Sequence, residues 1–109
     1  MIRRALILVL LSTAPSWAAQ TITLVNKTGT RIDSVYLSIA GAHRWTPDLI
    51  QDAPVEDGET TSITLERADS VCRWDLLAKF NNGSEGQWRD IDLCAAAQIT
   101  LLRDRALTE

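Results

Sequence analysis

Asp90 and Asp92 stand two apart in Arg89-Asp90-Ile91-Asp92, a spacing that on a β-strand sends both side chains to one face. Two carboxyl groups on one face could share acid and base work on a polymer, as in a small hydrolase. A hydrated strand face with Arg73 or Arg89 nearby explains the same residues more simply, and that reading is preferred. His43 is the single imidazole, so any Ser-His-Asp or Cys-His arrangement would have to run through it. No serine has a Gly-x-Ser-x-Gly setting, and the two cysteines are better matched to each other than to a histidine. The chain is therefore expected not to be an enzyme, with no catalytic residue and no cofactor.

Binding chemistry is concentrated between residues 41 and 58, which show no alternation, contain Pro47 and Pro54, and carry Asp48, Asp52, Glu56 and Asp57 ahead of Glu59. A loop of this length in a compact domain is either functional or packed by its own side chains. Calcium would need several converging oxygens, but the regular spacing of an Asp-x-Asp-x-Asp-Gly loop is missing, so no metal is assigned. Trp45, Leu49 and Ile50 have too much apolar area to remain in water, and a loop capping an open end of the fold is the simplest role for them. Thr46-Pro47 could also open a short helical turn. Exposed aromatics offer large rigid contact areas to a partner. Trp45, with Asp48, Asp52, Glu56 and Asp57, forms the candidate partner-binding set. Trp74, between Cys72 and Leu76 on one apolar face, reads as core.

The elements that position these residues begin after an export signal. Arg3 and Arg4 precede an apolar run over residues 5–11, and Ser16-Trp17-Ala18 supplies small residues at a cleavage site, so residues 1–18 read as a signal peptide and the mature chain as starting at Ala19. The apolar run is about half the length needed to span a bilayer. The Arg-Arg pair invites a twin-arginine reading, but the surrounding consensus is missing, which favours ordinary unfolded export. No membrane insertion is expected once the signal is cut. Without Arg3 and Arg4 the mature chain has nine basic and fourteen acidic residues, a net charge of −5. That balance argues against nucleic acid or an anionic membrane as partner, since both reward a basic face.

About 90 residues then remain, enough for one small domain that buries only some 60–65% of its unfolded surface and benefits from a covalent staple. Cys72 and Cys94 in an exported chain are most simply one disulfide. Between them lies Asn81-Asn82-Gly83-Ser84, the strongest local signal for a hairpin. Direct pairing of Cys72 with Cys94 requires an odd loop centred on Gly83, of three or five residues, or else a bulge. Cys72, Trp74, Leu76, Ala78 and Phe80 share a face, whereas Trp88 is out of phase with Ile91 and Leu93. One extra residue near Arg89-Asp90 restores the phase, which predicts a β-bulge there. The bridge would contribute roughly 3 kcal/mol in the chain-entropy model.

Alternating apolar residues predict further strands at 20–26, 31–39, 60–65 and 98–103. Residues 92–97 could form one helical turn. The expected fold is all-β, a small antiparallel β-sandwich of about six strands with one disulfide, spanning residues 19–104. Residues 105–109 are expected to be a flexible, frayed tail.

The order Val25-Asn26-x-Thr28-Gly29, Ile32-x-x-Val35-Tyr36, Trp45-x-x-Asp48-Leu49, a turn at Gly58, Cys72-x-Trp74-Asp75-Leu76 and a Trp88 to Leu93-Cys94 ending resembles a family of small exported bacterial proteins. The similarity covers residues 21–101. It implies a signal peptide, one β-rich domain and a Gram-negative, periplasmic or secreted setting, and it brings no activity with it. The Asn81-Asn82-Gly83 turn departs from the Asp-Gly turn more usual in the family and leaves the hairpin intact. The expected function is a non-catalytic periplasmic or secreted domain that binds a protein or cell-envelope component. The alternatives are a small hydrolase using Asp90 and Asp92, or an inhibitor of a periplasmic enzyme. Open sheet edges leave dimerisation undecided.

Overall fold

Alternation of Ile22 and Leu24 with Thr21 and Thr23 puts the two aliphatic side chains at 0% exposure, and the same rule builds most of the domain. The computed structural model describes residues 17–109, with side chains from Ala19 onward; residues 1–16 of the expected signal peptide lie outside the described residues. Seven strands occur among the described residues, and no helix: β1 (Trp17–Asn26), β2 (Ile32–Ile39), β3 (Thr60–Ala68), β4 (Arg73–Phe80), β5 (Glu85–Asp92), β6 (Gln98–Leu101) and β7 (Ala106–Thr108). They form a four-stranded sheet in the order β3-β1-β6-β7 and a three-stranded sheet in the order β2-β4-β5. The fold is all-β with one disulfide.

Between the sheets lies one apolar cluster. Ile22, Leu24, Ile63, Leu65, Ile99 and Leu101 come from the larger sheet, and Val35, Leu37, Trp74, Leu76, Ala78, Trp88 and Ile91 from the smaller. The sandwich departs from the expected one in two ways. First, β1 and β6 run parallel, with Thr23 opposite Gln98 and Asn26 opposite Leu101. A parallel pair needs a long connection, and here the whole smaller sheet intervenes. Second, the tail expected to fray from residue 105 forms β7, which raises the strand count to seven. Ala106 packs against the core, Leu102 N–H donates to the Arg105 carbonyl at 2.9 Å, and Glu109 N–H donates to Gln98 at 3.0 Å.

The β4–β5 hairpin contains both devices that its sequence implied. Phe80 N–H donates to the Ser84 carbonyl at 2.9 Å, leaving a three-residue loop, Asn81-Asn82-Gly83, with Gly83 at φ +84°. Its centre is Asn82, one residue earlier than expected. Leu76 pairs with Trp88 but Trp74 with Ile91, so Arg89 and Asp90 together oppose Asp75 in a bulge, with Asp90 at φ +59°. Trp88, Ile91 and Leu93 thereby all reach the core. Past the bulge, Leu93 N–H donates to the Cys72 carbonyl at 2.8 Å, and Cys94 is the next residue in the turn that follows. The Cys72–Cys94 bond joins Cα atoms 5.0 Å apart. Residues 93–95 form a turn and no helix follows, although Asp92 Oδ1 accepts from the Cys94 and Ala95 amides as a helix N-cap would.

Asn26, at 0% exposure, explains the Asn-x-Thr-Gly motif. Its Nδ2 donates to the carbonyls of Thr30 and Val55, both at 2.9 Å, and its Oδ1 accepts from Thr28 N–H at 3.0 Å, with the Thr28 hydroxyl 2.7 Å away. One buried amide thus ties the end of β1 to the following turn and to the long loop. Across the sandwich, the Trp88 indole N–H donates to the Leu102 carbonyl at 2.9 Å, and its ring meets Phe80 edge-on with centroids 6.5 Å apart. Gly86 makes room for that ring, since a Cβ there would lie 2.8 Å from Trp88 Cη2 and 3.1 Å from Phe80 Cε2. Gly86→Ala is expected to destabilise the domain by about 1–3 kcal/mol through overpacking, read as a lower urea midpoint at unchanged slope; an unchanged midpoint would show that the indole is free to move.

Candidate functional site

Strand β2 lies at the edge of its sheet, where outward amides and carbonyls would face water or invite another chain. The long loop returns to answer them. Thr46 N–H donates to the Leu37 carbonyl at 2.9 Å while its Oγ1 accepts from Leu37 N–H at 3.1 Å. Leu49 N–H donates to the Val35 carbonyl at 2.8 Å, and Asp48 Oδ1 accepts from the amides of Val35 and Ile50 at 3.0 and 3.1 Å. Ile32 and Val55 exchange both bonds at 2.9 Å. Backbone and side chain alternate as partners, so the segment serves as a strand without the geometry of one. Pro47, which has no N–H, falls where no donor is needed. No helical turn opens at Thr46, because its hydroxyl is engaged by Leu37. The loop therefore covers a sheet edge rather than an open end, and it drops Ile50 and Val55 into the core.

The candidate acidic residues are dispersed by this path. Asp48 is bound to backbone, and Asp57 Oδ1 accepts from the Gly29 amide at 2.9 Å. Glu56 lies 3.9 Å from Arg31, whose Nε is 2.9 Å from Asp33 Oδ1. The hydrogen bond to Asp33 and then its charge raise the pKa of the Arg31 guanidinium above its ordinary value; desolvation opposes them, and Glu56 adds a smaller raising effect. Asp52 is exposed at φ +54° in a turn. Among the described residues, the one group of metal-type donors close together is Cys72, Cys94 and Asp92, whose two sulfurs are bonded to each other.

Trp45 has a different setting. Past the end of β2 the chain turns through Gly41 (φ +78°) and His43 (φ +50°) and brings Trp45 beside Ile39 and Trp74. Ile39, Ala42, Arg44, Trp45, Thr46 and Trp74 surround an apolar hollow of about 230 Å³. Ile39 is 45% exposed, and the Arg44 guanidinium forms no ion pair among the described residues. Trp74 is core, as expected, with its indole N–H donating to the Val71 carbonyl at 3.1 Å.

The turn is held by Asp75, which was not among the candidate site residues. Its carboxylate is 7% exposed; Oδ2 accepts from Gly41 N–H at 3.1 Å and Oδ1 from Asp90 N–H at 2.9 Å. One carboxylate therefore anchors both the Trp45 turn and the hairpin bulge. Its signal was its position opposite the predicted bulge, which needs an acceptor for its surplus amide.

Asp90 and Asp92 both line a cleft of about 410 Å³ between β5 and β7, together with Arg73, Arg89 and Arg105. The bulge breaks their alternation. Asp90 sits 3.9 Å from Arg73 at the surface, and Asp92 caps the turn at Cys94. His43 is exposed just before Arg44 and does not line the cleft that holds Asp90 and Asp92.

The domain is thus a disulfide-bonded, two-sheet β-protein with one covered edge and an apolar hollow at one end. The disulfide is compatible with an exported protein. No family model and no curated protein matches the sequence. An NMR structure of a protein from Eubacterium rectale is similar in fold, with a TM-score of 0.56 over 83% of this chain and 87% of that one at 12% identity. At that identity the likeness concerns architecture alone.

Asp48→Ala leaves two amides without an acceptor and is expected to lower stability by about 1–3 kcal/mol. Asp48→Asn keeps the oxygen and should cost less than about 1 kcal/mol. Urea denaturation of both variants checks this; equal losses would mean that the charge, not the acceptor, is what the site uses.

Proposed function

We propose that this protein is a non-catalytic, exported binding domain of the bacterial periplasm or exterior, and that it recognises a protein partner through the hollow formed by Ile39, Ala42, Trp45 and Trp74. The observation carrying this reading is the exposed Ile39 beside Trp45, an apolar surface that the fold leaves open although it covers the edge next to it. A side chain with an apolar body would fill the hollow, and a carboxylate on the partner would meet Arg44. A sugar ligand is less well matched, because polar groups able to read hydroxyls are few there and the Thr46 hydroxyl already serves Leu37. The acidic residues of the loop contribute to folding in this reading, and the partner-binding role narrows to Trp45. The sequence resemblance and the signal-like pattern of residues 1–18 support the Gram-negative, exported setting.

The hydrolase alternative has weaker support, since Asp92 is engaged by two backbone amides and Asp90 is paired with Arg73. Inhibition of an envelope enzyme remains a special case of protein binding.

A photo-crosslinking residue at Ala42, on the rim of the hollow, is expected to capture a defined envelope protein in intact cells. A second probe at Thr64, on β3, should not capture it. Trp45→Ala should reduce the Ala42 adduct by at least about tenfold while thermal unfolding shows the fold retained, in line with the loss of an aromatic anchor. Equal capture from both positions, or an adduct indifferent to Trp45→Ala, would overturn the assignment.

A further inference from the structure

Strand β1 runs through the bond at which the export signal is expected to be cut. Trp17 pairs with Ala68, Ala18 with Arg67 and Ala19 with Glu66, so the Ala18–Ala19 peptide belongs to the β1–β3 ladder. The next residue is held from both sides. Gln20 Nε2 donates to the carbonyls of Leu93 and Ala96 at 2.7 and 3.2 Å, and Gln20 Oε1 accepts from Arg67 Nε at 2.6 Å. The turn that receives Gln20 also contains Cys94, fixed to Cys72. No spacer separates the scissile bond from the folded domain.

A protease must draw its substrate into its own groove as a free extended strand, which a chain already committed to a sheet cannot supply without local unfolding. We propose that the Ala18–Ala19 bond is a processing site open only in the unfolded chain, and that folding of the domain, with its disulfide formed, shuts it. This rests on the export reading of residues 1–18. It deepens that reading by setting an order of events: the chain crosses the membrane unfolded, the leader peptidase cuts, and only then does β1 join β3. A folded precursor, the kind of cargo a twin-arginine route would deliver, presents no substrate to the peptidase. Hydrolysis consumes one water, breaks the Ala18–Ala19 amide, leaves a carboxylate on Ala18 of the released leader and creates an α-amino group on Ala19. The new ammonium then lies across the ladder from Glu66, which supplies a counter-charge at the start of the shortened strand.

The test uses the full 109-residue precursor in two forms with detergent-solubilised leader peptidase, followed by intact mass. One form is oxidised and folded. The other carries Leu24→Asp, which places a carboxylate at a position of 0% exposure and unfolds the sheet while residues 1–19 stay unchanged. The unfolded precursor is expected to be cut after Ala18, and the folded one at least about tenfold more slowly, the ratio reporting how often the end of β1 opens. Equal rates on the two forms would overturn the inference while leaving the export reading intact. Failure to cut either form, or cutting at another bond, would overturn the export reading and the inference with it.

Discussion

Backbone amides that face outward from a sheet must be answered, and in this domain residues 46–49 do so for β2. The rest of the arrangement depends on that cover. Because the loop runs along the edge, Ile50 and Val55 reach the core, Asn26 finds the Val55 carbonyl, and the Gly41–Trp45 turn emerges at the end of the sandwich where its apolar side chains meet Trp74. The four sheet edges are treated differently. β2 is covered, β5 carries a bulge, β7 is three residues long, and β3 is the long one with a single neighbouring strand. Short strands, bulges and covering loops are recognised ways of discouraging chance pairing.

Two buried polar groups convert this packing into a specific structure. Asn26 joins three chain segments through one amide, and Asp75 joins two through one carboxylate. Each sits in low-dielectric surroundings where every unmet bond is costly, so alternative registers that separate these partners are disfavoured. The hydrophobic cluster supplies the drive to collapse, and these two residues select among the collapsed forms.

Much of the fold could be read from local pattern. Alternation located six of the strands, and the phase slip between Trp88 and Ile91 placed the bulge at Arg89-Asp90, because a period of two leaves an inserted residue visible. What sequence hid was decided by contacts between distant segments. The parallel β1–β6 pair, the β7 strand and the role of Asp48 all depend on where a remote backbone lies. Asp75 was missed for the same reason, since a charged residue between Trp74 and Leu76 looks like the solvent side of a strand. Clustered acidic residues in one loop looked like a site, yet Asp48 and Asp57 are engaged with separate backbone amides. For the candidate surface, the sequence could point to Trp45 but not to Ile39, whose exposure follows from its place at the end of an edge strand.

Asp75 has a mechanical consequence for the proposed recognition. Displacing the turn that carries Trp45 would strip Gly41 from a carboxylate that also steadies the hairpin, so the rim can bend only if the ribbon beneath it yields too. The proposed contact surface is accordingly stiff before anything arrives. Stiffness of this kind lowers the ordering entropy lost on association and favours ligands already of the right shape over those that need the pocket to adapt.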